Sequence, residues 1–263
     1  AISELLPKVP QVAVFDTAFH QTMPQEAFMY GLPYEQYTKH GIRKYGFHGS
    51  SHRFVAREAA RILGKDLGTL KLITCHLGNG SSITAVKEGR SIDTSMGFTP
   101  LPGVIMGTRT GDLDPSIIFY MMEKESLTLD EVSHILNKKS GLQGLAGKSD
   151  MRDVLELMES GNPRAKLAID MFIYKIVTYI GAYMGALNGA DAIVFTAGIG
   201  ERNAYLRKRI MERLSNLGVM IDAAANASNA AIITAKQSAV AALVIPTNEE
   251  LVIAQDTYDL IHS

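Results

Sequence analysis

The chain has 263 residues, 46% of them hydrophobic, which suffices for one large domain or for a domain with pieces of another. With 26 basic against 27 acidic residues, a net charge of −1 and no basic block, nothing favours nucleic acid or an anionic membrane, so the expected partner is a small molecule. The one cysteine, Cys75, cannot close an internal disulfide and lies inside an apolar run, which fits a buried, inert thiol in a reducing, cytoplasmic setting.

In chain order, the apolar run QVAVF ends at Asp16, a strand end where a carboxylate either holds a metal or forms a turn. YGFHGSSH sets His48 at a loop-to-helix junction, with Ser50 or Ser51 as N-cap. His48 and His52 have the i, i+4 spacing of zinc ligands, but no third ligand lies near them in sequence, so His52 is expected to be a structural residue of the helix start. Residues 70–86, LKLITCHLGNGSSITAV, read both as a hairpin turning at Asn79-Gly80 and as a strand that breaks into a bare-backbone phosphate cradle. A helix is predicted over 114–124, and Asn162-Pro163 starts a long one running from about 164 to 188. Its part 176–187 is too short, and too flanked by Lys166, Asp170 and Lys175, to span a bilayer, and reads as a buried helix. Gly181, Gly185 and Gly189 recur every four residues and let another backbone approach, either inside the domain or from a second copy.

Behind that helix come a strand over 192–197, a second glycine turn at Gly198–Glu201, and a helix over 203–217 with basic residues on its exposed face. The turn would open this helix, whose N-terminal amides complement anionic or polar groups. Residues 222–238, rich in Ala, Asn and Ser, are expected as a surface excursion before a strand over 240–245 and a helix over 248–261. Strand pairs in front and strand–helix alternation behind predict an α/β layer fold.

Two glycine turns that each follow an apolar strand suggest a nucleotide site. Together with VFDTAFHQTMP (14–24), RKYGFHGSSH (43–52), DTSMGFTPLPGVIMGTRTGDLDP (93–115) and PTNEE (246–250), they make the chain resemble the acetate and propionate kinase family from about Pro10 to the C-terminus. The resemblance implies an actin-like (ribonuclease H-like) fold, a mixed sheet flanked by helices. It implies reversible transfer of the ATP γ-phosphoryl group to acetate, giving acetyl phosphate and ADP, with Mg²⁺ or Mn²⁺. Arg109 and His48 would then stabilise the transition state, Asp16 would be the catalytic aspartate, and Glu249 would be linked to the metal. Nucleotide contacts are implied for His76, Leu77, Gly78, Asn79, Gly80, Asp150, Met151, Arg152, Gly198, Ile199, Gly200 and Glu201, and a small methyl pocket for Phe47 and Pro100. Family members are homodimers through this domain, which favours the intermolecular reading of the helix glycines.

Two departures stand out: Arg202 follows Gly-Ile-Gly-Glu where the family has Asn, and GLQGLAGK looks one residue short. The family's Asn-Ser-Gly-Ser-Ser-Ser phosphate strand and its substrate arginine do not occur in the sequence. The chain is therefore expected to be the C-terminal portion of a longer kinase, inactive alone. Residues 1–18 would belong to the other domain, 19–247 would form the nucleotide-binding and dimerisation domain, and 248–263 would be a helix packing towards the other domain. The rivals are a propionate kinase and, from another class, a non-catalytic nucleotide-binding or dimerising module.

Overall fold

A computed structural model describes residues 2–262. Five strands form one mixed sheet: β1 (Lys71–Leu77), β2 (Ser81–Lys87), β3 (Arg90–Thr94), β4 (Ala192–Thr196) and β5 (Ala241–Val244), in the order β3-β2-β1-β4-β5. β1 and β2 pair antiparallel from Leu77 opposite Ser81 to Lys71 opposite Lys87, so the hairpin read from the sequence forms around Gly78-Asn79-Gly80. β4 and β5 run parallel to β1, as strand–helix alternation requires. β3 was not predicted. Its marker is the two-residue loop Glu88-Gly89, both at positive φ (53° and 76°), which matches the hairpin twist.

The principal helices are α1 (Gly49–Leu63), α2 (Ser116–Glu125), α3 (Met151–Glu159), α4 (Pro163–Leu187), α5 (Ala197–Arg202), α6 (Ala204–Glu212) and α7 (Glu249–His262). α1 and α4 sandwich the sheet. On one face, Val55, Ala56 and Ala59 of α1 pack over Leu72, Val86, Val194 and Leu243. On the other, Ile169, Phe172, Ile173 and Ile176 of α4 pack over Ile73, Cys75, Ile83 and Phe195. Burial on both faces explains why β1 and β4 are nearly continuous apolar runs. This is the actin-like α/β architecture. Cys75 is fully buried, and burial pushes its thiol pKa well up, as an inert role demands.

α4 starts where Asn162 accepts hydrogen bonds from the Arg164 and Ala165 amides, and it ends at Asn188 in the left-handed region. It is the one helix among the described residues long and apolar enough to cross a membrane, yet the residues of its buried face belong to the domain core. Gly189, at φ 88°, lies past the helix and serves the turn. A Cβ added at Gly181 or Gly185 would meet no atom within 4 Å, so packing within the chain gives no reason for either glycine.

Four expectations need correction. The run at 11–15 joins no strand, and Phe15 is exposed. Gly198–Glu201 is not a loop but lies inside α5. The helix expected over 203–217 ends at Glu212, and Ser215–Leu217 tightens into a 3₁₀ turn closed by Gly218 at φ 86°. The segment 222–238 is more than a surface excursion. Ile233 is fully buried and Ile232 bridges to Leu243, so the segment closes the β5 edge of the sheet.

Candidate active site

The site is built at the open end of the sheet face covered by α1. Residues directly opposite in an antiparallel pair point the same way, and on this face the pairs run from apolar to polar: Leu72 with Val86, Thr74 with Thr84, His76 with Ser82. The first pair packs on α1, and the last two meet its N-terminal turn. There Ser51 Oγ lies 2.8 Å from His76 Nδ1, and His52 Nδ1 lies 2.7 Å from Thr74 Oγ1. Ser82 Oγ sits between two rings, 2.6 Å from His52 Nε2 and 2.9 Å from His48 Nδ1.

His48 precedes α1 in the left-handed region, at φ 56°, a conformation that costs a non-glycine residue roughly 1 kcal/mol or more. The Asp16 carboxylate holds it there by accepting the His48 N–H at 2.6 Å. Gly49 donates to the Asp16 carbonyl oxygen, with which any Cβ at position 49 would collide. Gly46 is equally constrained: at φ 73°, its Cβ would fall 2.6 Å from the His20 ring. His20 spans the strand and the loop, with Nδ1 2.9 Å from Ser91 Oγ and Nε2 2.9 Å from the Phe47 carbonyl oxygen. The His48 ring stacks on His76 with centroids 4.1 Å apart. Burial lowers the pKa of all four of these histidines, His76 to about 3 and His20 to about 4, so the cluster is uncharged near neutrality.

Three side-chain nitrogens face the glycine turn. A Cβ on Gly80 would lie 3.4 Å from His48 Nε2 and 3.6 Å from Arg109 Nη1, and one on Gly78 would lie 3.9 Å from His76 Nε2. Neither Nε2 has a hydrogen-bond partner among the described residues, and Arg109 has no carboxylate partner there. The arginine's nearest polar neighbours are the Pro100 carbonyl oxygen at 3.5 Å and Met106 Sδ at 3.6 Å. Its loop is pinned by the exchange between Gly103 and Asp112, and Tyr179 on α4 donates to the same Asp112 carboxylate at 2.7 Å. A guanidinium without a carboxylate partner and two unpaired imidazole nitrogens around a bare backbone turn make an anion site.

Two carboxylates lie at the edge of this site. Glu249 opens α7, where Asn248 accepts the Leu251 N–H, and its pKa is raised by burial and then by the nearby charge of Asp16. Two acids that repel each other suit a cation between them. Among the described residues no third ligand completes a protein cage, a donor set that fits Mg²⁺, which keeps water and phosphate ligands.

Beyond the glycine turn a cavity of about 590 Å³ is lined by Gly78, Asn79, Met151, Arg152, Gly198 and Ile199, which brings both glycine turns and the Asp150–Arg152 segment together. Asp150 caps α3 and forms a bidentate pair with Arg152, so this exposed pair is first a helix-start device. Arg202 lines the cavity, while Asn203 is occupied capping α6. Leu77 and Gly200 are buried in packing. Glu201 turns away from the cavity and accepts the Thr247 N–H. Pro100 touches Arg109 through its carbonyl oxygen, and Phe47 is placed by His20.

Several site residues carried no signal in the sequence. Ser51, Thr74, Ser82 and Thr247 look like ordinary strand, cap or loop residues, and only the period-2 alternation of Thr74 and His76 hints that they share a face. Arg207 of α6 is also unmarked. It is 1% exposed and donates to the carbonyl oxygens of Gly200, Glu201 and Asn226 and to the side chains of Asn226 and Asn229.

Known proteins resemble this chain in sequence and in fold. Acetate kinase from Pseudothermotoga lettingae is 56% identical over 266 residues, covering 100% of this chain and 66% of that protein. The crystal structure of Porphyromonas gingivalis acetate kinase superposes with a TM-score of 0.95 at 44% identity, over 99% of this chain and 66% of that one. A propionate kinase from Francisella tularensis gives a TM-score of 0.94 at 50% identity, over 98% and 66%. The chain thus spans about two thirds of the length of these relatives. With the acetokinase family model matching residues 1–255, the chain belongs to the acetokinase family.

Proposed function

We propose that this chain carries the nucleotide and phosphoryl-transfer face of an ATP:acetate phosphotransferase. The observation that carries the reading is the convergence of Arg109 Nη1, His48 Nε2 and His76 Nε2 on Gly78–Gly80 with no protein anion to occupy them. ATP lies along the cavity with its phosphates on the glycine turn. An acetate oxygen attacks the γ-phosphorus in line, the bond to the β-phosphate oxygen breaks, and ADP leaves. Little covalent help is needed, so catalysis consists of positioning and charge stabilisation. Arg109 and His48 donate to the equatorial oxygens as their charge redistributes, while His76 and the turn amides hold the phosphates. Asp16 and Glu249 would hold Mg²⁺, which supplies charge neutralisation at the phosphate oxygens.

The Pro100 and Phe47 region would receive the acyl methyl group. One methylene there is worth about 1–3 kcal/mol, so propionate remains the nearest alternative acceptor. The enzyme acts in the cytoplasm as a homodimer. The substrate arginine and phosphate strand that the family resemblance implies would lie in the third of the relatives' length that this chain does not span. The exposed Leu5, Leu6 and Val9 near the N-terminus, and Tyr258 and Leu260 on α7, are consistent with a further layer over them.

The test is an acyl-hydroxamate assay with Mg·ATP, acetate or propionate and hydroxylamine, run on the full-length enzyme and on the 263-residue chain. Acetate-dependent hydroxamate from the full-length enzyme, abolished by a chelator, is expected, with nucleotide binding but no turnover from the chain alone. ATP binding without acyl phosphate from the full-length enzyme would establish the non-catalytic module instead.

A further inference from the structure

The proton positions in the histidine cluster can be worked out from its donors. The Thr247 hydroxyl donates to Ser51 Oγ at 2.8 Å, so the Ser51 proton goes to the other neighbour, His76 Nδ1 at 2.8 Å. A neutral imidazole that accepts at Nδ1 carries its proton on Nε2. On the other side, the Thr74 hydroxyl has two acceptors in reach, His52 Nδ1 at 2.7 Å and the Thr84 carbonyl oxygen at 3.5 Å. The shorter contact is a full hydrogen bond, and the longer is at the limit of one. Donation to His52 Nδ1 puts the His52 proton on Nε2, facing Ser82 Oγ at 2.6 Å. Ser82 has one proton, and with His52 donating to it that proton goes to His48 Nδ1 at 2.9 Å.

We propose that two buried relays, Thr74–His52–Ser82 and Thr247–Ser51, set the tautomers of His48 and His76, so that each ring carries its single proton on Nε2, facing the anion site. Ser82 and Ser51 are positioning residues, because they act through the rings and do not face the glycine turn themselves. The relay through Ser82 is all-or-none. Reversing it would leave Thr74 with the 3.5 Å acceptor and turn a bare Nε2 lone pair of His48 towards Gly80.

The strand register enforces the pattern. His76 lies opposite Ser82 and Thr74 opposite Thr84, so hydroxyls and rings interleave on one face. The second relay is also anchored on α5, because Glu201 accepts the Thr247 N–H at 3.2 Å and so helps hold the hydroxyl that starts the chain. That the two N–H groups meet phosphoryl oxygens rests on the proposed kinase activity, but the proton positions do not. Two preset donors need no reorganisation as the transferred group moves.

The test is long-range ¹H–¹⁵N correlation spectroscopy of the ¹⁵N-histidine-labelled, nucleotide-free protein near neutral pH, which reads tautomers directly and owes nothing to turnover. His48, His52 and His76 are expected as Nε2–H tautomers. Ser82→Ala should turn His48 into a tautomer mixture while leaving His76 unchanged, Ser51→Ala should do the reverse, and Ser82→Thr should restore the native pattern. In the full-length enzyme Ser82→Ala should lower kcat about tenfold with little change in KM for ATP, the cost of one misplaced hydrogen bond. An Nδ1–H or doubly protonated His48 in the unsubstituted protein, which needs no variant to fold, overturns the proposal. So does a Ser82→Ala protein whose His48 tautomer is unmoved. Native tautomers without kinase activity would uphold the relays and overturn only the reading of what they face.

Discussion

Arg109 is half-buried beside two uncharged imidazoles, with no carboxylate partner among the described residues and only weak contacts to Pro100 and Met106. Such a cation is usually neutralised, and one left available next to a bare backbone turn is poised for a ligand's negative charge. If that charge is largest in the transition state, Arg109→Ala in the full-length enzyme should cut kcat by about 10³-fold or more while KM for ATP moves far less. Arg109→Lys should recover little, because a point charge on a flexible stem cannot replace the planar fork. Steady-state kinetics on both variants decide the matter. A raised KM with kcat intact would make Arg109 a ground-state binding residue and remove the transition-state role.

At the scale of elements, the junction of α5 and α6 is held by one buried side chain. The Arg207 fork satisfies carbonyls at the C-terminal end of α5, where helix ends leave acceptors without intrahelical partners, and ties them to Asn226 and Asn229 of the segment that closes the sheet edge. Arg207→Lys keeps the charge but cannot reach every acceptor, and an unsatisfied buried carbonyl costs roughly 1–3 kcal/mol. The expected loss is about 3 kcal/mol of unfolding free energy by urea titration, together with a raised KM for ATP as α5 loosens. Unchanged stability would show that the carbonyls find other donors.

This latch was invisible in the sequence, because Asn226 and Asn229 lie 19 and 22 residues away and an arginine in a basic helix reads as solvated. β3 escaped for a related reason: RSIDT is an edge strand whose one apolar residue is Ile92, and only the Glu88-Gly89 turn marks it. By contrast β1, β4, β5 and α4 were legible because burial on both faces writes nearly continuous apolar runs and Pro163 marks a start. Of the candidate site, Arg109 and His48 stand out in the sequence beside glycines, and Asp16 only through the motif VFDTAFHQTMP. Ser82 and Thr74 were not, because a buried hydroxyl in a strand has no local signature until the register places it opposite a ring.

On the scale of the whole molecule, the described chain leaves one face of its central helix unused. Leu167 and Tyr174 of α4 are 52% and 58% exposed, Met171 is also exposed, and further along the helix Gly181 and Gly185 have open space where a side chain would be. A glycine inside a helix costs about 1 kcal/mol relative to alanine, and nothing within this chain offsets that cost at either position. Close approach of a second α4 would, since small residues every four positions let two backbones meet. The apolar residues earlier on the helix would then supply the buried core that a stable interface needs. The double substitution Gly181→Leu with Gly185→Leu should leave the fold intact, because both side chains enter open space and improve helix propensity. It should also shift sedimentation equilibrium from dimer towards monomer, with a thermal transition that becomes independent of concentration. A dimer of unchanged affinity in that variant would place the interface on some other face and return the two glycines to being unexplained.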